Sequence, residues 1–130
     1  MSAASDYLED ALLDHVLGGT TYTQPTTLYV GLYTASTGLE SNSPSAEVSG
    51  GSYARQSATF AAASSGSAST NATVTFPAAT ANWGTITHVA VLDASSGGNV
   101  LFHGAVTSSK TIETGDTFQI SSGNLTITLA

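Results

Sequence analysis

The rhythm of apolar and polar positions changes once along the chain. From Asp6 to Leu17, the residues Leu8, Ala11, Leu12, His15 and Val16 recur at spacings of three and four, which places them on one face of a helix. Asp6 is expected as the N-cap with Glu9 as its N3 partner, a capping box in which each side chain satisfies the other's free backbone N–H, and Gly18-Gly19 as the C-terminal stop. Beyond Pro25 the period falls to two. Thr27 to Thr34 sets Leu28, Val30 and Leu32 on one face and Tyr29, Gly31 and Tyr33 on the other, so it reads as a central strand covered on both faces, one of them by the helix. Further short strands are expected at 53–60, 72–76, 85–93, 99–106, 111–113, 117–121 and 125–129, separated mostly by Gly, Ser, Asp and Asn. Asp93 to Gly98 and Ser121 to Asn124 read as hairpin loops, and the alternation of Leu125, Ile127 and Leu129 with Thr126 and Thr128 implies antiparallel pairing.

Two stretches carry no period. Ala35 to Ser52 is a long Ser/Gly/Pro-containing loop, unusual in a small domain and of the kind that meets neighbours, and Ala61 to Thr70 reads as a flexible or neighbour-packed loop. No internal repeat points to a solenoid or propeller. The expected architecture is therefore a single all-β domain over 1–130: an antiparallel two-sheet sandwich of about eight strands, jelly-roll or immunoglobulin-like, with one short N-terminal α-helix over 6–17 and strands from 27 onward. The pattern leaves the topology open.

Composition narrows the function. A chain of 130 residues can bury about two thirds of its unfolded surface, enough for one core. Charged residues make up only 8% of the chain, their place taken by Ser and Thr, which suit solvent-facing strand positions. Two basic residues, Arg55 and Lys110, stand against nine acidic ones for a net charge of −7, which leaves no cationic surface for nucleic acid and no polybasic cluster for anionic lipid. No apolar run is long enough to span a bilayer. There is no cysteine, so disulfides, thiolate nucleophiles and Cys-type zinc sites are absent. The first residues have neither a basic n-region nor an apolar h-region, and the expectation is synthesis in the host cytoplasm with no signal peptide. A charge-poor Ser/Thr/Gly surface of this kind, without an export signal, points to a virion.

The candidate chemistry is sparse. Ser, His and Asp all occur, but no Gly-x-Ser-x-Gly elbow presents a nucleophile, so neither a catalytic residue nor a cofactor is expected. His88 and His103 lie on the two arms of the hairpin around residues 95–98; a metal site would need Asp93 as third ligand, the spacing matches no zinc pattern, and structural roles are expected. Glu113 and Asp116 flank Gly115 without the alternating acids of a calcium loop, and Asp116 reads as a turn residue. Trp83, the only tryptophan, reads as a core anchor; it and Tyr53 are the candidate contacts if the chain recognises a carbohydrate or receptor. Asp6, Glu9, Asp10 and Asp14 form an acidic helix surface without basic neighbours, either a solvated face or a docking surface for a basic partner. Arg55 can hold a carboxylate within the subunit or across an interface, since guanidinium binds bidentately.

Several segments taken together resemble a family of small structural proteins of tailed bacteriophages, the phage tail fibre proteins. The resemblance runs over almost the whole chain and is carried by Asp14-His-Val-Leu17 leading into Leu28-Tyr-Val-Gly-Leu-Tyr-Thr34, then Glu47-Val-Ser-Gly-Gly-Ser-Tyr-Ala-Arg55, Thr75-Phe-Pro77, Trp83-Gly-Thr-Ile-Thr-His88 and Lys110-Thr-Ile-Glu-Thr-Gly-Asp116. It implies a non-enzymatic component of the virion, either a tail or fibre subunit or a capsid decoration protein. The expected partners are copies of itself in a homo-oligomer, a trimer being one form, and other capsid, tail or baseplate proteins.

Overall fold

The computed structural model describes residues 3–129. Strand β1 (Ala3–Ala4) leads into helix α1 (Asp6–Leu17), and the remaining elements are strands: β2 (Leu28–Tyr33), β3 (Gln56–Ala58), β4 (Ser67–Ser69), β5 (Val74–Thr75), β6 (Gly84–Leu92), β7 (Val100–Ile112), β8 (Gln119–Ile120) and β9 (Thr126–Thr128). The fold is all-β and sandwich-like. One layer is a five-stranded antiparallel sheet in the order β1-β7-β6-β2-β3; opposite it stand two two-stranded sheets, β4-β9 and β5-β8.

Helix α1 spans the residues its spacing predicts, but it is capped differently. Ser5, not Asp6, is the N-cap: its backbone is extended, its hydroxyl accepts from the Leu8 N–H at 3.3 Å, and it donates to the Val100 carbonyl. The cap is thus bonded to β7 and fully buried, and Ser5 N–H adds a 2.9 Å bond to the Leu101 carbonyl. A cap must lie outside the helix with its side-chain oxygen free to turn back, which Ser5 does one residue before the expected position. At the other end Gly18, at φ 94°, closes the helix by donating to the Asp14 carbonyl, the left-handed stop that a residue without Cβ takes at no steric penalty.

The apolar stripe of α1 is only partly used. Leu8 is buried against Ala4 and Leu101, with Leu12 half-buried beside it, whereas His15 and Val16 are exposed. The helix therefore leans on the β1–β7 edge and does not cover β2.

β2 is a central strand, between β6 and β3. Val30 and Leu32 face the main core with Ile86, Val91, Val74, Phe76 and Phe118, each large side chain there contributing about 1.5–3 kcal/mol by burial. The opposite face is covered by the long loop, whose Leu39 packs on Tyr33, Ala90, Leu92 and Val100. This loop is ordered by its own backbone. Ser43 N–H donates to the Gly38 carbonyl at 2.8 Å, and the segment then returns along β2, with Thr34 N–H to the Ala46 carbonyl and Val48 N–H to the Leu32 carbonyl, both 3.0 Å.

Three other expectations change. The Ala61–Thr70 tract contains strand β4, paired with β9 through Ala68 opposite Ile127. The segments at 99–106 and 111–113 are one strand, β7, which carries an irregularity where Val106 to Ser109 lie opposite Thr87 alone. Ser121 to Asn124 does not close a hairpin, since β8 pairs with β5 and β9 with β4.

Candidate functional site

The densest polar constellation lies where the long loop, the segment before β3 and the β6–β7 hairpin meet. Arg55 forks onto Glu47, Nε to Oε2 and Nη2 to Oε1, both at 2.8 Å, and its Nη1 donates to the Ala94 and Gly97 carbonyls at 2.8 and 2.9 Å. Tyr53 donates its hydroxyl to Glu47 Oε2 at 2.7 Å and accepts the Leu32 N–H at 3.0 Å. One ion pair thereby ties the hairpin tip, the long loop and β2 together. Arg55 binds its carboxylate within the subunit.

The electrostatics follow from this packing. Burial alone pushes the Glu47 carboxyl up, but hydrogen bonds from Arg55 and Tyr53 and the guanidinium charge hold it below its ordinary value. The bond to Glu47 raises Arg55, and burial raises Tyr53, which also donates to Glu47. Tyr33 is fully buried beside this pair, and burial with the Glu47 charge pushes its phenol up to about 12. The Arg55 guanidinium opposes that rise, and among the described residues no group is placed to hydrogen-bond the hydroxyl.

The hairpin itself is braced twice more. Asp93 accepts from the Asn99 backbone N–H at 2.7 Å and from its side-chain amide at 3.0 Å. Asn42, at φ 58°, accepts the Val100 N–H at 2.7 Å and donates to Asn99 at 2.9 Å, bonding the long loop to the start of β7. The result is a rigid end of the sandwich with exposed Ser41, Ser43, Ser45, Ser95 and Ser96 on held backbone.

The remaining candidates are placed apart. Trp83 is buried, its indole N–H donating to the Gly51 carbonyl at 2.9 Å, its ring edge-on to Tyr53 at 5.4 Å. Tyr53 stacks on Phe76 at 6.1 Å, so both candidate receptor contacts sit in the aromatic core. Asp93 is engaged with Asn99, His88 with Thr87 at 2.8 Å and His103 with Glu40 at 2.7 Å, so no metal site forms from them. Asp116 caps its own turn by accepting the Glu113 N–H at 2.9 Å.

Asp6 and Glu9 of the acidic helix are joined by Glu40 from the long loop, their carboxylate oxygens within 4.8 Å of one another and all three exposed. This is the one group among the described residues with metal-ligand geometry. Asp6 is raised above its ordinary value, first by its hydrogen bond with Glu40 and then by desolvation and the neighbouring negative charges. Asp10 and Asp14 lie exposed along the helix, outside that group. No period marks residues inside a loop, so Glu40 carries no signal in the sequence, and Glu47 carries only that of the short segment linking it to Arg55.

Among the described residues no helix is long and apolar enough to cross a membrane. A family model described as Podophage GP4 fiber I protein gp80 matches residues 3–128. No curated protein matches the chain.

Proposed function

The chain belongs to the family of podophage GP4 fiber I protein gp80, and from that premise we propose that it is a non-enzymatic structural subunit of a bacteriophage virion, placed in a tail fibre. The observation that carries this reading is the family match across residues 3–128. The fold supports it: the conspicuous charged constellation, Glu47 with Arg55, braces loops against a sheet and is not arranged around a cleft for substrate. A rigid β-scaffold presenting small hydroxylated side chains on fixed loops suits repeated contact with other virion proteins and with copies of itself, because short side chains lose little conformational freedom when an interface orders them.

Labelling purified particles with an antibody against the chain, viewed by negative-stain electron microscopy, tests the reading. Label on the fibres is the expected result. Label over the capsid shell would move the subunit to head decoration, and absence of the chain from the particle would overturn the virion assignment.

A further inference from the structure

Two apolar surfaces of the described chain are left without a partner. One is the C-terminal half of α1, where Leu13, Val16 and Leu17 are 57%, 74% and 78% exposed and, at spacings of three and four, share one face of the helix. Asp10 and Asp14 flank that face. The other is a cleft of about 330 Å³ lined by Leu28, Phe60, Leu101, Phe102, Ile127 and Leu129, between the end of the five-stranded sheet and the β4–β9 pair. It shares Val91, Phe102 and Ile127 with a second cleft of about 610 Å³, whose lining includes His103 and Lys110.

We propose that the exposed Leu13–Val16–Leu17 face of α1 in one copy seats in the Leu28–Phe102–Ile127 cleft of a second copy, as the head-to-tail contact of a homo-oligomer. Charge selects the same arrangement as shape. The chain has two Lys or Arg residues, and Arg55 is consumed by Glu47, so Lys110 is the basic side chain left to meet a partner. It stands in the cleft continuous with the apolar one, where the acidic flank of a docked helix, Asp10 and Asp14, would run. An acidic partner face is therefore favoured, and the chain carries one beside its own unpaired apolar residues.

The helix cannot fill the cleft of its own chain. Its first turn is held by the Ser5 cap and by Leu8 on Leu101, and its exit by the Tyr22 N–H donating to His15 Nδ1 at 3.1 Å. The knob and the socket use different residues, so a head-to-tail repeat closes into a ring if the rotation between copies divides a full turn, and otherwise extends.

The proposal rests on the structural-subunit reading but is tested separately from it. The chain has no cysteine, so Val16→Cys and Ala63→Cys, both exposed positions, can be made singly, differently tagged, mixed and oxidised. The expected product is the mixed disulfide in several-fold excess over either homodisulfide. Light scattering should show Val16→Asp raising the half-assembly concentration tenfold or more with an unchanged melting temperature. Lys110→Glu should weaken assembly, and Asp14→Lys on the opposite copy should restore it. Disulfides formed without preference, or a wild-type chain that stays monomeric at every concentration, would overturn the proposal while leaving particle labelling to judge the virion reading. A monomeric chain that Val16→Asp nevertheless removes from particles would assign the helix face to a different virion protein, and would overturn it equally.

Discussion

Arg55 and Glu47 meet through two parallel hydrogen bonds of 2.8 Å, with the arginine side chain 6% and the glutamate 25% exposed. The pair is worth more by what its loss would leave behind than by its own attraction. Arg55→Ala strands a half-buried carboxylate, left with the Tyr53 hydroxyl as its donor, together with the Ala94 and Gly97 carbonyls. Breaking one side of such a pair is expected to destabilise by about 3 kcal/mol. Arg55→Lys keeps the charge without the fork and should lose about half of that. Urea denaturation of the two variants beside wild type measures both.

The pH dependence of stability has a sign at each end. Glu47 is depressed when folded, so its contribution is present above the ordinary carboxylate value and is lost as pH falls through the folded one. The deficit of Glu47→Gln relative to wild type should therefore be full at neutral pH and shrink progressively in acid. Denaturant midpoints collected across the acid range for both proteins check this; a deficit independent of pH would mean that the carboxylate is not held by Arg55.

Tyr33 carries the opposite limb. Its phenol is raised to about 12 from 10.0, so its contribution is complete below pH 10 and is lost as pH climbs towards 12. Tyr33→Phe should flatten that alkaline loss. Because the hydroxyl is buried and makes no hydrogen bond among the described residues, its removal should leave stability at neutral pH unchanged or raise it by about 1 kcal/mol. Alkaline melts of the two proteins, with tyrosinate absorbance at the same pH values, separate the effects.

The long loop is a built element and should respond like one. Gly38 sits at φ 77°, and a Cβ there would land on the carbonyl of Ser43, the residue whose N–H donates to the Gly38 carbonyl in the turn that returns the chain towards β2. Gly38→Ala is expected to cost about 2 kcal/mol, through backbone strain and through loss of Leu39 packing. Hydrogen exchange should then speed up at Ser43 and at the Thr34 and Val48 amides, whose bonds depend on the path of the loop beside β2.

How much of this was legible depends on the kind of signal each part left. The limits of α1 follow from its three-and-four spacing, and the 93–98 hairpin from its Gly-Gly tip between two apolar runs. Strand β4 escaped because Ser67-Ala-Ser69 alternates without an apolar side chain large enough to mark a face, and it is a strand only because β9 lies beside it. The pattern gives the cover of β2 to the helix, because the helix is the sole amphipathic element it shows. A loop whose one large apolar anchor is Leu39 gives no period to read. The Ser5 cap was missed for a related reason: Asp6 fits the local cap pattern as well, and the choice is made by the bond from Ser5 to Val100, distant in the chain. Local patterns thus located the elements, and long-range partners decided their roles.

The start of α1 holds the last of these long-range decisions. Asp6 N–H donates to the Glu40 carbonyl at 2.8 Å, its carboxyl shares a hydrogen bond with the Glu40 side chain, and Glu40 in turn contacts His103 at 2.7 Å. With Glu9 adjacent, three carboxyl groups lie within 4.8 Å of one another, and one of them, Glu40, holds the imidazole. Asp6 is raised, so its favourable contribution is present in acid, below 3.8, and is lost as pH rises through the folded value, leaving uncompensated negative charge at neutral pH. Asp6→Asn keeps the hydrogen bond to Glu40 and removes one charge, so it should raise the melting temperature at neutral pH and lose that advantage below about pH 4. His103→Gln alters the 2.7 Å contact on Glu40 and should lower the melting temperature, and the two substitutions should not be additive because both act through that carboxylate. Melting temperatures of the single and double variants across that range decide it. Additive shifts at every pH would show that Asp6 and His103 do not act through Glu40.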